Sequence, residues 1–557
     1  MDKLRLFFRV RLKELFESYL TFSILLFVAL IILFLDVLIN IILPGSHVNV
    51  SNLVGSTKSQ TSIDFAPEVW MAVLSMVLGT LIIVISIASQ STPKLIDLYI
   101  KDRKSLMYIW FITLSAGHNL ILQLYLSTGE FGRQGSVLLN TYILLPIALL
   151  LSIPYILYIL RYTKPSNVIE KIFQLNIRMI NRLQKNSHVN GFFSEKYIVK
   201  YQYKLFDSLN QLDDLLEYVS FKEPKGDIIH NMSESVQKYV KIKKELAERF
   251  YQISPSIRSD ISFKTMTGQF EEIEKSHTFY EQKAFRLLAN AYMKLIENND
   301  FDLAALCVFE LSECGKYAIA ENDAPLIDVI NVRFNTILRF GIKHGLRNSE
   351  VRNLYNALFH YSQYLNYLVE SRKMDFIRKS CNYIKIYGTE VYRHSQHEAP
   401  FSFLVDVFTL ELKKILIQLN KLEYTHEFQK EILEFLLEMD SPPDVGRDEL
   451  GQWQIANDGV RILQIGLSLY YISVGMKEFA ERIIEDILDD YTFLKDSLRI
   501  AVEASCKKLN IYTPTFWEDT DRGNTNLYYS AEKDFIPEFL SMFNEKLNSF
   551  LQKKTYH

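Results

Sequence analysis

Before residue 165 the apolar residues of this chain gather into four stretches, Tyr19–Leu43, Val69–Ala88, Leu106–Leu126 and Val137–Leu160. Each has about the twenty residues a helix needs to cross a hydrocarbon core about 30 Å thick. After Pro165 the pattern changes. Apolar residues return at intervals of three and four, as in Ala284–Glu297, Leu326–Phe340 and Phe401–Leu419, and strand-like alternation is scarce. Pro and Gly collect at the breaks Ser220–Gly226, Ser254–Ser256, Asp440–Gly451 and Asn510–Asn526. The pattern predicts an all-α protein: a four-span transmembrane bundle, then a large α-helical region built as an irregular solenoid or bundle. The expected divisions are an amphipathic N-terminal helix over 1–18, the four spans over 19–163, a helical linker over 164–255 and a repeat-like domain over 256–557.

Charge orients the spans. Lys3, Arg5, Arg9, Arg11 and Lys13 precede the first; Lys94, Lys101, Arg103 and Lys104 separate the second and third; Arg161 and Lys164 follow the fourth. The other two loops hold one basic residue each, Lys58 and Arg133. Both termini are therefore expected in the cytoplasm. The first stretch is too long for a signal-peptide core and reads as a retained anchor. In 2–18, Arg5, Arg9 and Lys13 recur every four residues beside Leu4, Phe7, Phe8, Leu12, Leu15 and Phe16. That suits a helix lying at the headgroup boundary, or equally a plain extension of the first span.

Polar residues interrupt the spans. Asp36 and Asn40 lie one turn apart in the first, and Ser115, Asn119 and Gln123 form a stripe on the third with His118 beside it. The second carries Ser75, Gly79, Ser86 and Gln90. An ionisable group in hydrocarbon costs at least a few kcal/mol unless paired or wet, so Asp36 should face inward, toward His118, Asn119 or Gln123. Either Asp36, Asn40, His118, Asn119 and Gln123 line a hydrated path for an ion, or they are interhelical hydrogen-bonding glue, with Ser75 and Gly79 permitting close approach. Glue is favoured, because four helices alone seldom enclose a pore. Pro146 and Pro154 should kink the fourth span.

Ser89-Gln90-Ser91-Thr92-Pro93-Lys94-Leu95-Ile96-Asp97-Leu98-Tyr99-Ile100-Lys101-Asp102-Arg103 joins the second and third spans. Thr92 is placed to cap a helix that Pro93 begins, with Leu95, Ile96, Tyr99 and Ile100 on its apolar side. Thr92, Pro93, Lys94, Asp102 and Arg103 thus mark a candidate elbow between the spans. The segment resembles the signature of a bacterial multi-pass membrane-protein family of unknown function, the DUF-2254 type: Ser-Gln, one residue, Ser/Thr-Pro-Arg/Lys, two aliphatics, then an aromatic and a closing Asp-Arg. The layout of residues 10–163 agrees as well, while the family's Gly/Pro/Asn-rich stretch has no counterpart in the later half. The resemblance implies a bacterial inner-membrane location and carries no catalytic residues.

Beyond the spans, Asn299-Asp300-Phe301, Met374-Asp375-Phe376 and Lys477-Glu478-Phe479 each set an acidic residue and a Phe at the start of a second helix. Ser468, Tyr471, Gly475, Ala480, Ile484 and Ile487 are spaced like one tetratricopeptide unit. Turn separations of 75 and 103 residues argue against a strict array, so an irregular solenoid, with a surface for a protein partner, is the expectation.

Composition narrows function further. Residues 1–165 hold 13 Lys and Arg against 9 Asp and Glu, which leaves 49 against 56 afterwards, so the water-facing part is acidic and a poor nucleic-acid binder. The 32 Tyr and 37 Phe suit a packed helical core, and disorder, collagen and a disulfide scaffold are excluded. Cys307, Cys314, Cys381 and Cys506 lack Cys-x-x-Cys spacing and should be buried reduced thiols. His394 and His397 offer two metal ligands without a third, and Trp517–Asn524 only partly matches a calcium loop. No phosphate loop, zinc helix or nucleophile elbow occurs, so no cofactor is expected. The reading is a non-enzymatic membrane protein that anchors a cytosolic helical interaction domain. The lipid bilayer, a protein partner and a further copy of the chain are its associates. The alternative is an oligomeric channel or transporter using the polar layer.

Overall fold

A computed structural model describes residues 20–42, 58–91, 102–127, 134–161, 164–187, 195–395, 399–440, 458–515 and 526–555. All regular structure among them is helical, as the apolar periodicity predicts. The N-terminal segment 2–18, Thr92, Pro93 and Lys94 of the elbow, His397 and the calcium-loop-like stretch lie outside the described residues. The chain divides into two compact units: residues 1–174 with 214–224, and residues 175–213 with 225–557.

In the first unit, α1 (Leu20–Ile42), α2 (Lys58–Ser91) and α3 (Arg103–Ser127) are followed by a composite fourth rod. That rod is a short helix, α4 (Gln134–Leu138), a π-helical turn over Leu139–Leu144, and α5 (Leu145–Arg161). Among the described residues four segments are long and apolar enough to cross a membrane: Thr21–Ile42, Ala66–Ile83, Arg103–Tyr125 and Gly135–Arg161. Their outer surfaces expose Phe22, Phe34, Ile82, Ile121 and Leu150, as lipid-facing helices do. Pro146 falls directly after the π turn, where the wider winding already departs from the usual bonding ladder, and Pro154 lies inside α5. On α2 it is Ala66, Trp70, Val73 and Val77 that are buried. Ser75 points outward and Gly79 has no atom within 4 Å of where a Cβ would sit, so this small-residue face packs against no helix of the described chain, contrary to the close approach expected of it.

The second unit is built on α6 (Pro165–Ser187) and α7 (Glu195–Tyr218), each shared with the first, and on α8 (Lys222–Lys243). The break expected over Ser220–Gly226 is shorter than the composition suggests. Gly226 is already helical in the second turn of α8.

From Phe279 onward the helices run as hairpins: α9 (Phe279–Glu297), α10 (Phe301–Ala320), α11 (Ala324–Asn348), α12 (Arg352–Glu370), α13 (Met374–Ser395), α14 (Ala399–Lys421), α15 (His426–Leu437), α16 (Asp458–Ser473) and α17 (Lys477–Asp489). Among the described residues seven turns share one geometry. His277, Asn299, Asn322, Ser349, Arg372, Glu423 and Gly475 all have positive φ. The residue after each donates its N–H five residues back, to the carbonyls of Ile273, Leu295, Ala318, Gly345, Leu368, Leu419 and Tyr471. This Schellman closure satisfies carbonyls that a helix end leaves bare.

The turns at Asn322, Arg372, Glu423 and Gly475 follow one another at 50, 51 and 52 residues. Alternate helices therefore form two layers, and residues about one hairpin apart meet. Lys379 bonds Asp328, Ser380 bonds Asn331, Tyr387 bonds Asn335, and Arg482 bonds Glu434. The separations of 75 and 103 residues that argued against an array are one and a half and two of these repeats. The turns between them, Asn322-Asp323-Ala324, Ser349-Glu350-Val351 and Glu423-Tyr424-Thr425, lack the Phe that marks the others. After α17 the array closes with α18 (Leu498–Ile511) and α19 (Ile536–Thr555).

The core is aromatic. Phe334 stacks on Tyr361 and Tyr364 with ring centroids 4.8 and 5.1 Å away, and the Tyr364 ring lies where Gly315 leaves no room for a Cβ. All four cysteines are free and buried, as expected, and burial pushes the Cys314 thiol up to about 12.

One buried ionic group joins the start of the array. Lys243, at the end of α8, bonds Glu281 of α9 at 2.9 Å and Asp323 of the α10–α11 turn at 2.7 Å. Burial lowers the Lys243 pKa, but the two carboxylates outweigh it and hold it above the ordinary lysine value. Glu281, wholly enclosed, is pushed up by burial against the pull of Lys243. Lys243→Met removes the one cation facing both carboxylates and should cost about 3–5 kcal/mol of stability, read from urea unfolding of the detergent-solubilised protein. A loss below about 1 kcal/mol would show that the carboxylates do not need it.

Candidate functional site

The polar residues of the four spans converge on one layer. Asn40 Nδ2 donates to the Asp36 carbonyl at 2.8 Å and to Ser136 Oγ of α4 at 2.8 Å, and lies 3.4 Å from Asp36 Oδ1. Asp36 is 7% exposed and its Oδ1 stands 3.7 Å from His118 Nε2 on α3. Asn140, wholly buried in the π turn, completes the layer. Its Oδ1 accepts from Trp70 Nε1 of α2 at 2.8 Å, and its Nδ2 lies 3.0 Å from both the Ser115 carbonyl and His118 Nδ1. Every span contributes at least one residue.

The donors decide the protonation of His118. An indole N–H only donates, so the side of Asn140 toward Trp70 is its oxygen and the side toward His118 is its amide nitrogen. His118 Nδ1 must then accept, which leaves the ring proton on Nε2, facing Asp36. The 3.7 Å between Nε2 and Asp36 Oδ1 is longer than a hydrogen bond.

Of the residues singled out in the sequence, Asp36, Asn40 and His118 are brought together. Asn119 is buried beside the layer, with its Nδ2 and the nearby Ser115 Oγ lacking a hydrogen-bond partner among the described residues. Gln123 is half-buried and stands outside the set. Sequence reasoning missed Trp70, Ser136 and Asn140. A lone Asn inside an apolar stretch is the available signal for the last.

A second constellation surrounds Asp102 of the elbow. Its Oδ2 accepts from the Ser105 N–H at 3.1 Å, capping α3, and from Tyr158 Oη of α5 at 2.8 Å. Its Oδ1 takes Lys171 Nζ of α6 at 3.1 Å. One carboxylate thus ties three helix ends. Burial raises its pKa, but the Ser105, Tyr158 and Lys171 bonds outweigh that and hold it below the ordinary aspartate value. Arg103 is exposed, and Lys104 lies over the Tyr158 ring, 5.7 Å from its centroid. His394 bonds the Glu390 carbonyl of its own helix.

No family model matches the chain, and no curated protein does. Among solved structures it is similar to a circular tandem repeat protein with novel repeat topology and enhanced subunit contact surfaces, at 10% identity. That alignment covers 89% of this chain and 98% of the other at a TM-score of 0.37, too low to mark a shared fold.

Two substitutions test these junctions. Asn140→Ala strands Trp70 Nε1 away from water and should destabilise the bundle by about 1–2 kcal/mol, measured by SDS titration of the protein in mixed micelles. Asp102→Asn should cost a similar amount, about 1–2 kcal/mol, at pH 7. The folded-state pKa of Asp102 is depressed, so its contribution is full above the ordinary value of about 3.9 and is lost as pH falls through the lowered one. The gap between wild type and Asp102→Asn in unfolding midpoint should therefore close below about pH 4, and a gap that stays constant there would refute the assignment.

Proposed function

We propose that this protein is a multi-pass anchor of the bacterial inner membrane, both termini in the cytoplasm, whose helical array binds a protein partner and tethers it or relays a signal to the spans. The observation that carries this reading is the hairpin array itself, in one chain with four helices of membrane-crossing length. Stacked hairpins repeat one helix face many times, and such faces suit extended partners. On α10 and α14 that face keeps large rings in water: Phe309 is 40% exposed and Phe403 48%. Phe309 meets His360 of α12 edge-on at 5.5 Å, and Phe403 lies 6.1 Å from Tyr355, so the rings continue from hairpin to hairpin.

Asp102 suits the coupling role of the elbow, because it links the start of α3 to α5 and to α6, the helix that leads out of the spans. The Lys and Arg distribution supports the orientation, and the likeness at Ser89–Arg103 to the DUF-2254 type supports the location. In the polar layer, a His118 ring with Nδ1 already taken by Asn140 acts as interhelical glue.

The experiment is reconstitution of the full chain in liposomes loaded with ion-sensitive dye. Flux should not exceed that of empty vesicles across a pH gradient or a potassium gradient. A flux that disappears in a folded Asp36→Ala variant would overturn the anchoring reading in favour of conduction.

A further inference from the structure

The faces that α14 and α16 turn toward each other hold buried charge. Asp406 and Lys413, two turns apart on α14, are 7% and 6% exposed. Opposite them, also two turns apart, stand Gly459 and Gly466 of α16. A Cβ on Gly459 would overlap the Asp406 carboxylate, and one on Gly466 would lie 2.7 Å from Lys413 Nζ. The matched glycines open a furrow, and the two charged side chains lie in it.

The irregular strap 526–532, which leads toward α19, closes the furrow with every second side chain. Tyr528 Oη donates to Asp406 Oδ2 at 2.7 Å. Ser530 Oγ lies 3.4 Å from the Gly466 carbonyl and 2.9 Å from Glu532 Oε2. The Glu532 carboxylate is the charge that acts on Lys413. Burial pushes Asp406 up to about 6 and Lys413 down to about 8, so both groups are costly to enclose and depend on what the strap presents. The strap's ends are tied by its own loops: Asn526 N–H donates to the Pro514 carbonyl at 3.1 Å, and Lys533 Nζ to the carbonyls of Asn510 and Tyr512.

We infer that the furrow between α14 and α16 is a peptide-binding site which the chain fills with its own strap, and that the ligand it takes in exchange is a segment carrying a tyrosine hydroxyl and, four residues later, a carboxylate. The chemistry follows from what the furrow offers: a carboxylate to accept the phenol, a carbonyl at Gly466 to accept a hydroxyl between them, and an ammonium to receive the acid. The strap is irregular and is held by polar side-chain bonds, loop carbonyls and the stacking of Tyr528 on Tyr512 at 5.6 Å, with no helical bonding ladder of its own, the kind of segment that opens locally while packed helices stay closed. Its tether sets a high effective concentration, so a free competitor is excluded until the strap's own groups are weakened. This names the ligand chemistry of the interaction domain proposed above and rests on that reading.

The test uses the full chain in detergent and a fluorescein-labelled peptide of the sequence of residues 526–534. Wild type should bind it weakly. The triple variant Tyr528→Phe, Ser530→Ala, Glu532→Gln should bind at least tenfold more tightly by fluorescence anisotropy. That gain should disappear when Lys413→Met is added, or when the peptide carries Phe and Gln in place of its first Tyr and its Glu. A triple variant with native helical circular dichroism that binds no better than wild type overturns the inference. Should the variant fail to fold, hydrogen exchange on wild type decides. Strap amides exchanging while α14 and α16 stay protected support it, and strap exchange only with global unfolding overturns it. Liposome flux is indifferent to both outcomes, so failure here leaves the anchoring reading intact.

Discussion

The larger unit depends on one backbone constraint, a left-handed residue that reverses the chain at seven of the described turns, two or three places before the next helix. The N–H of the residue after it turns back to a carbonyl five positions earlier in the departing helix, and the next rod leaves antiparallel. Only Gly475 of these seven is glycine; His277, Asn299, Asn322, Ser349, Arg372 and Glu423 take a positive φ with a Cβ, at a cost of about 1 kcal/mol each. Packing offsets that cost. Because the turns recur at nearly constant intervals, each side chain finds its counterpart one hairpin away, and the ion pairs of Arg482 with Glu434 and Lys379 with Asp328 form without any local sequence relation.

In the spans the constraint is chemical rather than geometric. With no water to satisfy them, the polar groups of four helices have to find one another at the same depth. Asn140 does most of this, since its amide serves Trp70 and the α3 backbone together while facing His118. The π turn that carries it rotates its side chain away from where straight helical counting would put it.

That rotation explains part of what the sequence left unread. Counting residues along straight spans sets Asp36 level with Gln123 and His118 deeper, whereas His118 is the residue the structure places beside Asp36. Azimuth does not survive an irregular turn, and Asn140 went unnoticed. The all-helical architecture and the four spans were legible because length and period report them directly. The turns at Asn299, Arg372 and Gly475 were legible through the acidic residue and Phe that follow. Those at Asn322 and Glu423 lack that Phe, and without them the period looked broken. Buried charges were least visible. Lys243, Glu281, Asp406 and Lys413 carry no local sign of burial, since only tertiary placement sets a counter-charge or a glycine opposite each.

The near-equal spacing of the hairpin closures has a mechanical side. Each hairpin touches its neighbours and little else, so strength along the array resides in the seams between successive units. Drawn out by its C-terminal end, such a body yields in discrete steps, each releasing about fifty residues of slack. A chain fixed in a bilayer at one end and loaded at the other would behave as an extensible leash whose length grows by a fixed quantum.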